Sequence, residues 1–426
     1  MIQTIRKAWN IPELRKKIVF TLLILLIYRI GNAIPVPYVD VAALTSYLNS
    51  MSTTVLGLYN VMSGGAFADA TVFALSIQPY INASIIIQLL TVAIPALERM
   101  AREEGEEGRK KIASITRYTT VGIALIQGFA YYMLMRNQYN ILTNEGIAAA
   151  FVIIITFVAG SAFIMWLGEQ ITEFGIGNGI SVILFASIIS RIPAGVLTMY
   201  SNRETLGAVG IIGIVVGLLA LIVLIVHVYN AERRIPIQYA KRQVGRRMYG
   251  GQNTTLPVKV NMSGVLPIIF AQSIAMLPAT IAAFLPEPAE GTFWYGFIQA
   301  IDTQSVLYMI AYFLMIIGFS YFYATIQFNP TEIANNLKRN GGFIPGFRPG
   351  KPTADFIAKV LSRITLFGAI YLGIVAIAPL VAGKFISIQG LAIGGTSVII
   401  VVGVALETVK ALENQMLARQ YKGFLE

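Results

Sequence analysis

Ten apolar runs, most close to 20 residues long, recur along this 426-residue chain, separated by polar segments. A run of about 20 residues crosses roughly 30 Å of hydrocarbon as one helix. The pattern predicts spans over 18–34, 76–97, 112–135, 148–168, 175–190, 207–229, 263–285, 304–328, 364–381 and 391–406. With the amino terminus placed inside, the inward segments hold 26 of the 32 Lys and Arg residues and the outward loops hold four, while Arg29 and Arg117 lie within spans. Cytoplasmic loops of membrane proteins carry this basic excess, so both the amino and carboxyl termini are expected on the cytoplasmic side. The spans divide five and five near residue 204. Because five is odd, the second half enters the membrane in the opposite sense, a topology compatible with an inverted repeat. The expected domains are therefore 1–203 and 204–426.

Composition changes this picture little. Hydrophobic residues make up 56% and charged residues 12% of the chain, values that do not suit a soluble globular protein. The net charge of +11 mostly records loop topology. The first apolar run has no small-residue cleavage site and leads into Ile34-Pro-Val-Pro-Tyr38, so it is expected to be a retained span rather than a signal peptide. The absence of Cys excludes disulfides and thiolate metal sites.

Candidate chemistry is sparse, and neither an enzyme nor a bound cofactor is expected. The one histidine, His227, falls at the inner end of the sixth span and reads as an interfacial or packed imidazole. Gly175-Ile-Gly-Asn-Gly179 has no βαβ setting, and no Gly-x-x-x-x-Gly-Lys-Ser/Thr occurs, so nucleotide energy has to come from a partner. Ion-coupled transporters usually bury an acid or His near the bilayer midplane; here Glu407 sits at the inner end of the tenth span. Arg29 and Arg117 lie toward span ends, where long side chains snorkel to headgroups.

Two features break the regular pattern. Residues 54–66, TVLGLYNVMSGGA, are apolar enough to leave water but too short to cross. They fit either a re-entrant, plug-like helix ending at Ser63-Gly64-Gly65 or an amphipathic helix on the outer surface. The other feature is a pair of long inward loops, 230–262 and 329–363, with 13 of the 26 inward basic residues. In the first, Arg233, Arg234, Lys241, Arg242, Arg246 and Arg247 flank Tyr239 and Tyr249, a mix suited to phosphate contacts with some stacking or to anionic headgroups. In the second, Gly and Pro punctuate a turn that presents Arg348 at a defined place.

Several segments carry a resemblance. FALSIQPYINASIIIQLL at 73–90 and WLGEQITEFGIGNGISVILFA at 166–186 closely resemble the two signatures of SecY, the channel subunit of the bacterial protein-conducting translocon. The likeness continues through RRIPIQYAKRQ at 233–243, LPVKVNMSGVLPIIFA at 256–271, NPTEIANNLKRNGGFIPGFRPG at 329–350 and IGGTSVIIVVGVALE at 393–407. Ser76 stands where the family usually has Gly; a small residue remains, and little consequence is expected beyond local helix geometry.

The resemblance implies an all-α membrane protein, ten transmembrane helices in two inverted five-helix halves around a central pore, closed outside by a short plug helix and opening sideways to lipid. Carried over by motif, the pore ring comprises Ile77, Ile81, Ile180, Leu184, Ile269 and Ile400. Four-residue spacing puts Ile77 with Ile81, and Ile180 with Leu184, on one helix face. The implied plug residues are Leu56, Leu58, Tyr59, Val61, Met62, Gly64 and Gly65. Asn82, Ser84, Gln88, Gln272 and Ser273 are polar groups at implied lateral-gate positions, where each could hydrogen-bond across a closed gate for about 0.6 to 2 kcal/mol. The basic loops acquire as partners the ribosome and the motor ATPase SecA, with Arg348 matching the arginine on which the motor interaction depends. SecE-type and SecG-type small membrane subunits are implied, as are signal sequences and unfolded polypeptides as clients and the bacterial cytoplasmic membrane as the location. The competing reading is a small-solute secondary transporter with inverted repeats, disfavoured by the lack of a midplane charge and by the large basic loops.

Overall fold

A computed structural model of the chain describes residues 2–50, 55–102, 104–137, 141–239, 242–244, 247–249, 253–262, 264–284, 292–302, 305–385 and 395–422. The amino-terminal part runs through α1 (Ile2–Trp9), α2 (Pro12–Gly31), α3 (Val41–Ser50), α4 (Val55–Met62), α5 (Gln78–Ala93), α6 (Pro95–Arg102), α7 (Gly105–Asn137), α8 (Ile147–Phe174), α9 (Gly179–Ser190), α10 (Ile192–Ser201) and α11 (Arg203–Asn230). Four strands follow, β1 (Glu232–Tyr239), β2 (Arg242–Val244), β3 (Arg247–Tyr249) and β4 (Asn253–Lys259). The remainder comprises α12 (Leu266–Phe284), α13 (Phe293–Ile301), α14 (Val306–Gln327), α15 (Pro330–Arg339), β5 (Gly342–Phe343), α16 (Lys351–Phe385) and α17 (Gly395–Lys422).

Each of the ten predicted spans falls on a helix: α2, α5, α7, α8, α9, α11, α12, α14, α16 and α17. The predicted span ends at 263, 285, 304 and 391–394 lie outside the described residues. Among the described residues five stretches are long and apolar enough to cross a membrane, namely Ile147–Phe174, Gly179–Ser201, Gly207–Asn230, Val306–Arg339 and Lys351–Val381. A sixth is the bent pair Gln78–Ala93 and Pro95–Ala101. α2 falls short of that standard because Arg15, Lys16, Lys17 and Arg29 interrupt its apolar face.

Local chemistry moves several predicted boundaries. The second span does not run on to residue 97: Ile94 precedes Pro95 and takes an extended conformation (φ −108°, ψ 113°). The proline ring disfavours helix at the preceding residue, so the chain turns by 106° into α6. The fifth span starts at Gly179 rather than 175, with the Asn178 Oδ1 accepting from the Ile180 amide at 3.0 Å and the Ser181 amide at 3.4 Å. It then continues past 190 through a turn at Arg191 into α10.

The largest difference from the sequence reading lies in the two long inward loops, where short strands stand in an otherwise helical chain. β1 pairs antiparallel with β4, from Glu232 opposite Lys259 to Gln238 opposite Asn253. On its other edge β1 pairs with β5, Gln238 opposite Phe343 and Tyr239 opposite Gly342. One sheet thus joins both loops. Ile235, Ile237 and Val258 bury their side chains beneath it against Leu337, Ile344, Ile357 and Leu361. Alternation of exposed and buried positions along β1 is that of a strand with one covered face.

Apolar packing elsewhere forms two larger clusters. One gathers residues of α2, α4, α5, α7, α8 and α9 with Val265, Ile269, Phe270, Met276, Tyr323, Ile400 and Val404 from the second half. The other lies within the second half, around Ile268, Tyr312, Ile316, Leu372 and Ile399. The outward face of α11, with Val209, Ile212 and Val223, is exposed and apolar, the surface a helix presents to lipid rather than to water.

Candidate functional site

The six ring candidates arrive from four helices. Ile77 caps α5 and Ile81 sits one turn on, its amide bonded to the Ile77 carbonyl at 3.1 Å. Ile180 and Leu184 occupy the first two turns of α9, Ile269 the start of α12 and Ile400 the first turns of α17. α9 comes this close to α8 because both meet at glycine: a Cβ on Gly179 would stand 1.9 Å from the Gly168 carbonyl oxygen. Ile77, Ile81, Leu184, Ile269 and Ile400 are buried in one cluster, and Ile180 packs against its edge.

The 54–66 segment forms α4, with Thr54 outside the described residues. Leu56, Tyr59 and Met62 are buried in the same cluster as the ring candidates, with Leu58 half-buried against it and Val61 also half-buried. A helix on the outer surface would expose one whole face; this one is held by polar bonds at its carboxyl end. The Tyr59 hydroxyl donates to the Leu75 carbonyl at 3.0 Å, the Ala68 amide to Asn60 Oδ1 at 3.0 Å, and the Phe67 amide to Ser63 Oγ at 3.1 Å. Tyr28, 2.6 Å from Ser187 Oγ, also reaches the Ser63 carbonyl at 3.4 Å. Gly64 (φ 71°) and Gly65 (φ 95°) then reverse the chain in a region open to glycine. The Arg191 guanidinium lies over Gly65, 2.9 Å from where a Cβ would be.

The gate candidates divide. Gln88 of α5 accepts from the Tyr323 hydroxyl of α14. Gln272 instead turns its Nε2 to Met62 Sδ of α4 at 3.5 Å, and Gln78 Nε2 reaches the same sulfur at 3.2 Å. Asn82 Oδ1, Gln272 Oε1 and Ser273 Oγ are buried without a partner among the described residues. Ser84 is half-buried on α5. Tyr323 and Gln78 were missed by the sequence reading. Their signal was present, since polar groups inside apolar runs are costly and are kept for a reason.

Ser76 also departs from expectation. Its φ of +51° places a non-glycine residue in the left-handed region immediately before α5, and its buried Oγ has no partner among the described residues. Arg117 does not simply snorkel: its Nε donates to Glu169 Oε1 at 2.8 Å, tying α7 to α8. Arg29 is exposed, as is His227, and no group of residues suited to hold a metal occurs among the described residues. Midway along α17, Glu407 Oε1 accepts from the Tyr229 hydroxyl at 2.8 Å while Lys410 lies 4.8 Å over the Tyr229 ring. Burial first, and then the Lys259 charge, push the Lys410 ammonium down from its ordinary value.

In the strand-bearing loops, Arg233 and Arg234 are exposed on β1, Arg234 bonded to Glu232 at 2.8 Å. Arg242 and Arg247 fall on β2 and β3, whereas Lys241 and Arg246 lie outside the described residues. Arg348 stands exposed between Gly346 (φ 88°) and Gly350 (φ 107°). Its backbone is fixed by the Thr353 hydroxyl, which donates to the Arg348 carbonyl at 2.8 Å, and by Phe347 packing on Phe356 with ring centroids 4.1 Å apart.

A family model described as SecY matches residues 71–409. The chain belongs to the SecY family. A protein translocase subunit SecY from Streptomyces scabiei is 43% identical over 440 residues, covering 100% of both chains. Among solved structures, one titled for the SecY plug domain, said there to stabilise the closed channel and maintain a membrane seal, superposes with a TM-score of 0.68 at 19% identity, over 95% of this chain and 93% of that one. Canine Sec61 in a ribosome-channel complex gives 0.64 at 17% identity, with the same coverage. These likenesses fix the SecY channel fold, and SecY membership leaves the secondary-transporter alternative without support.

Proposed function

We propose that the chain is a protein-conducting channel that passes unfolded secretory proteins across the bacterial cytoplasmic membrane and releases membrane segments sideways into lipid. The observation that carries this reading is a single apolar cluster. Ring candidates from both halves and the short helix α4 pack into one cluster. A channel for arbitrary unfolded chains has to pass any side chain without binding it, yet must hold ions back when idle. Apolar side chains at a waist make no strong contacts, and a dry gap confronts ions with a desolvation barrier. In this reading Ile77, Ile81, Ile180, Leu184, Ile269 and Ile400 form the waist, α4 is its plug, and α5 and α7 facing α12 and α14 make the lateral gate. The two halves, 1–203 and 204–426, are the jaws, made by ten membrane-crossing helices with both termini cytoplasmic.

The pore is passive and draws its drive from partners. Likeness to a Sec61 captured in a ribosome-channel complex supports the ribosome as one. The exposed Arg348 turn and the β1 arginines fit docking by SecA, and SecE-type and SecG-type subunits complete the assembly. The test uses the absence of native Cys. One Cys replaces Ile81, another is placed in a stalled precursor, and disulfide formation is followed in vesicles. A motor-dependent crosslink is expected; active export without it places the waist elsewhere.

A further inference from the structure

Met62 ends α4 with its sulfur between two amides that come from opposite halves of the chain. Gln78 belongs to the first turn of α5 and Gln272 to α12. Their Nε2 atoms lie 3.2 and 3.5 Å from Met62 Sδ, and Met62, Gln78 and Gln272 are only 2%, 3% and 4% exposed. A thioether is a weak acceptor, but a buried amide that loses its acceptor gives up its full desolvation penalty. Asn82 Oδ1 on α5 and both Gln272 Oε1 and Ser273 Oγ on α12 are already buried without partners among the described residues.

We propose that Met62 is the positioning residue that couples α4 to the separation of α5 from α12. This rests on the plug-and-gate reading above. Because one sulfur serves both donors, α4 cannot leave the seal without orphaning an amide in each half. Conversely, moving α12 away from α5 takes at least one donor from the sulfur and loosens α4. A signal segment entering between α5 and α12 therefore releases the seal without touching it. The shared acceptor turns two local events, gate parting and plug departure, into one.

The test is a double-mutant cycle on the full chain reconstituted with its partner subunits in planar bilayers. Met62→Leu keeps nearly the same volume but offers no acceptor. Opening of the idle channel should become about tenfold more frequent, which corresponds to roughly 1.4 kcal/mol. Adding Gln78→Leu and Gln272→Leu removes the donors that Met62→Leu orphans, so the triple variant should return to within about threefold of the parent. Additive effects would overturn the coupling and leave Met62 a packing residue. If Met62→Leu does not insert, a cycle between Gln78→Leu and Gln272→Leu reads the same shared acceptor; non-additivity is expected, and additivity again overturns it. A parent channel that neither gates nor translocates precursor would sink the channel reading itself. A parent that gates normally beside an additive cycle sinks only the role of Met62.

Discussion

Replacing Ser76 with Gly should stabilise the protein, although the change removes a side chain from a buried site. Ser76 holds φ +51° directly ahead of α5, with a buried hydroxyl that has no partner among the described residues. A left-handed conformation costs a residue with a Cβ about 1 kcal/mol, and an orphaned buried hydroxyl costs about 1 kcal/mol or more. Against these, glycine adds about 0.7 kcal/mol of backbone entropy to the unfolded chain. The net gain is about 1.3 kcal/mol, which for a chain of this size raises the melting temperature by about 1–3 °C. The assay is a thermal ramp in detergent at fixed heating rate, followed by tryptophan emission. Ser76→Ala drops the hydroxyl and keeps the strain, so it should fall between parent and Ser76→Gly. Two results would refute this reasoning: Ser76→Gly melting at or below the parent, or Ser76→Ala equalling or exceeding it.

Two further predictions concern the channel reading. Arg348→Glu reverses an exposed charge on a turn fixed by its neighbours, so insertion and melting should be unchanged while motor-driven export in vesicles falls about tenfold or more; normal export by the inserted variant would remove Arg348 from the docking surface. Ile81→Ala with Ile180→Ala should widen the waist, destabilise the closed cluster by about 2–5 kcal/mol per fully buried site, and raise idle ion conductance several-fold. Unchanged conductance in planar bilayers would count against the ring.

That a helix lies under each predicted span was legible from the apolar runs, most plainly for the five stretches, or six with the bent pair, that are long and apolar enough to cross a membrane among the described residues. Their ends were less so. Ile94 and Arg191 sit within apolar stretches, and only the stiffness imposed by Pro95 and the turn into α10 ends the helices there. The sheet was not legible because its β1–β5 edge pairs loops about 100 residues apart, Tyr239 with Gly342, and because its small apolar layer is hidden among basic positions. Ring positions could be named only through motif likeness, since periodicity alone reads Ile77 or Leu184 as ordinary helix packing. Tyr323 escaped notice, and Met62 could be named only as part of the short helix and not as an acceptor, because Gln88 and Gln272 lie 235 and 210 residues away from them along the chain. No local pattern encodes such pairs.

The small sheet that joins the two long loops has a mechanical consequence. β1 leaves α11, β4 leads toward α12, and β5 sits between α15 and α16, so pairing on both edges of β1 stitches the roots of these helices to one plate. A load applied at the Arg348 turn, a few residues from β5, is then spread across the plate rather than absorbed by a loose loop. It reaches α12 and α14, the helices that face α5, as a single displacement. In the channel reading proposed above, a partner docked at that turn would therefore move these helices together as one lever.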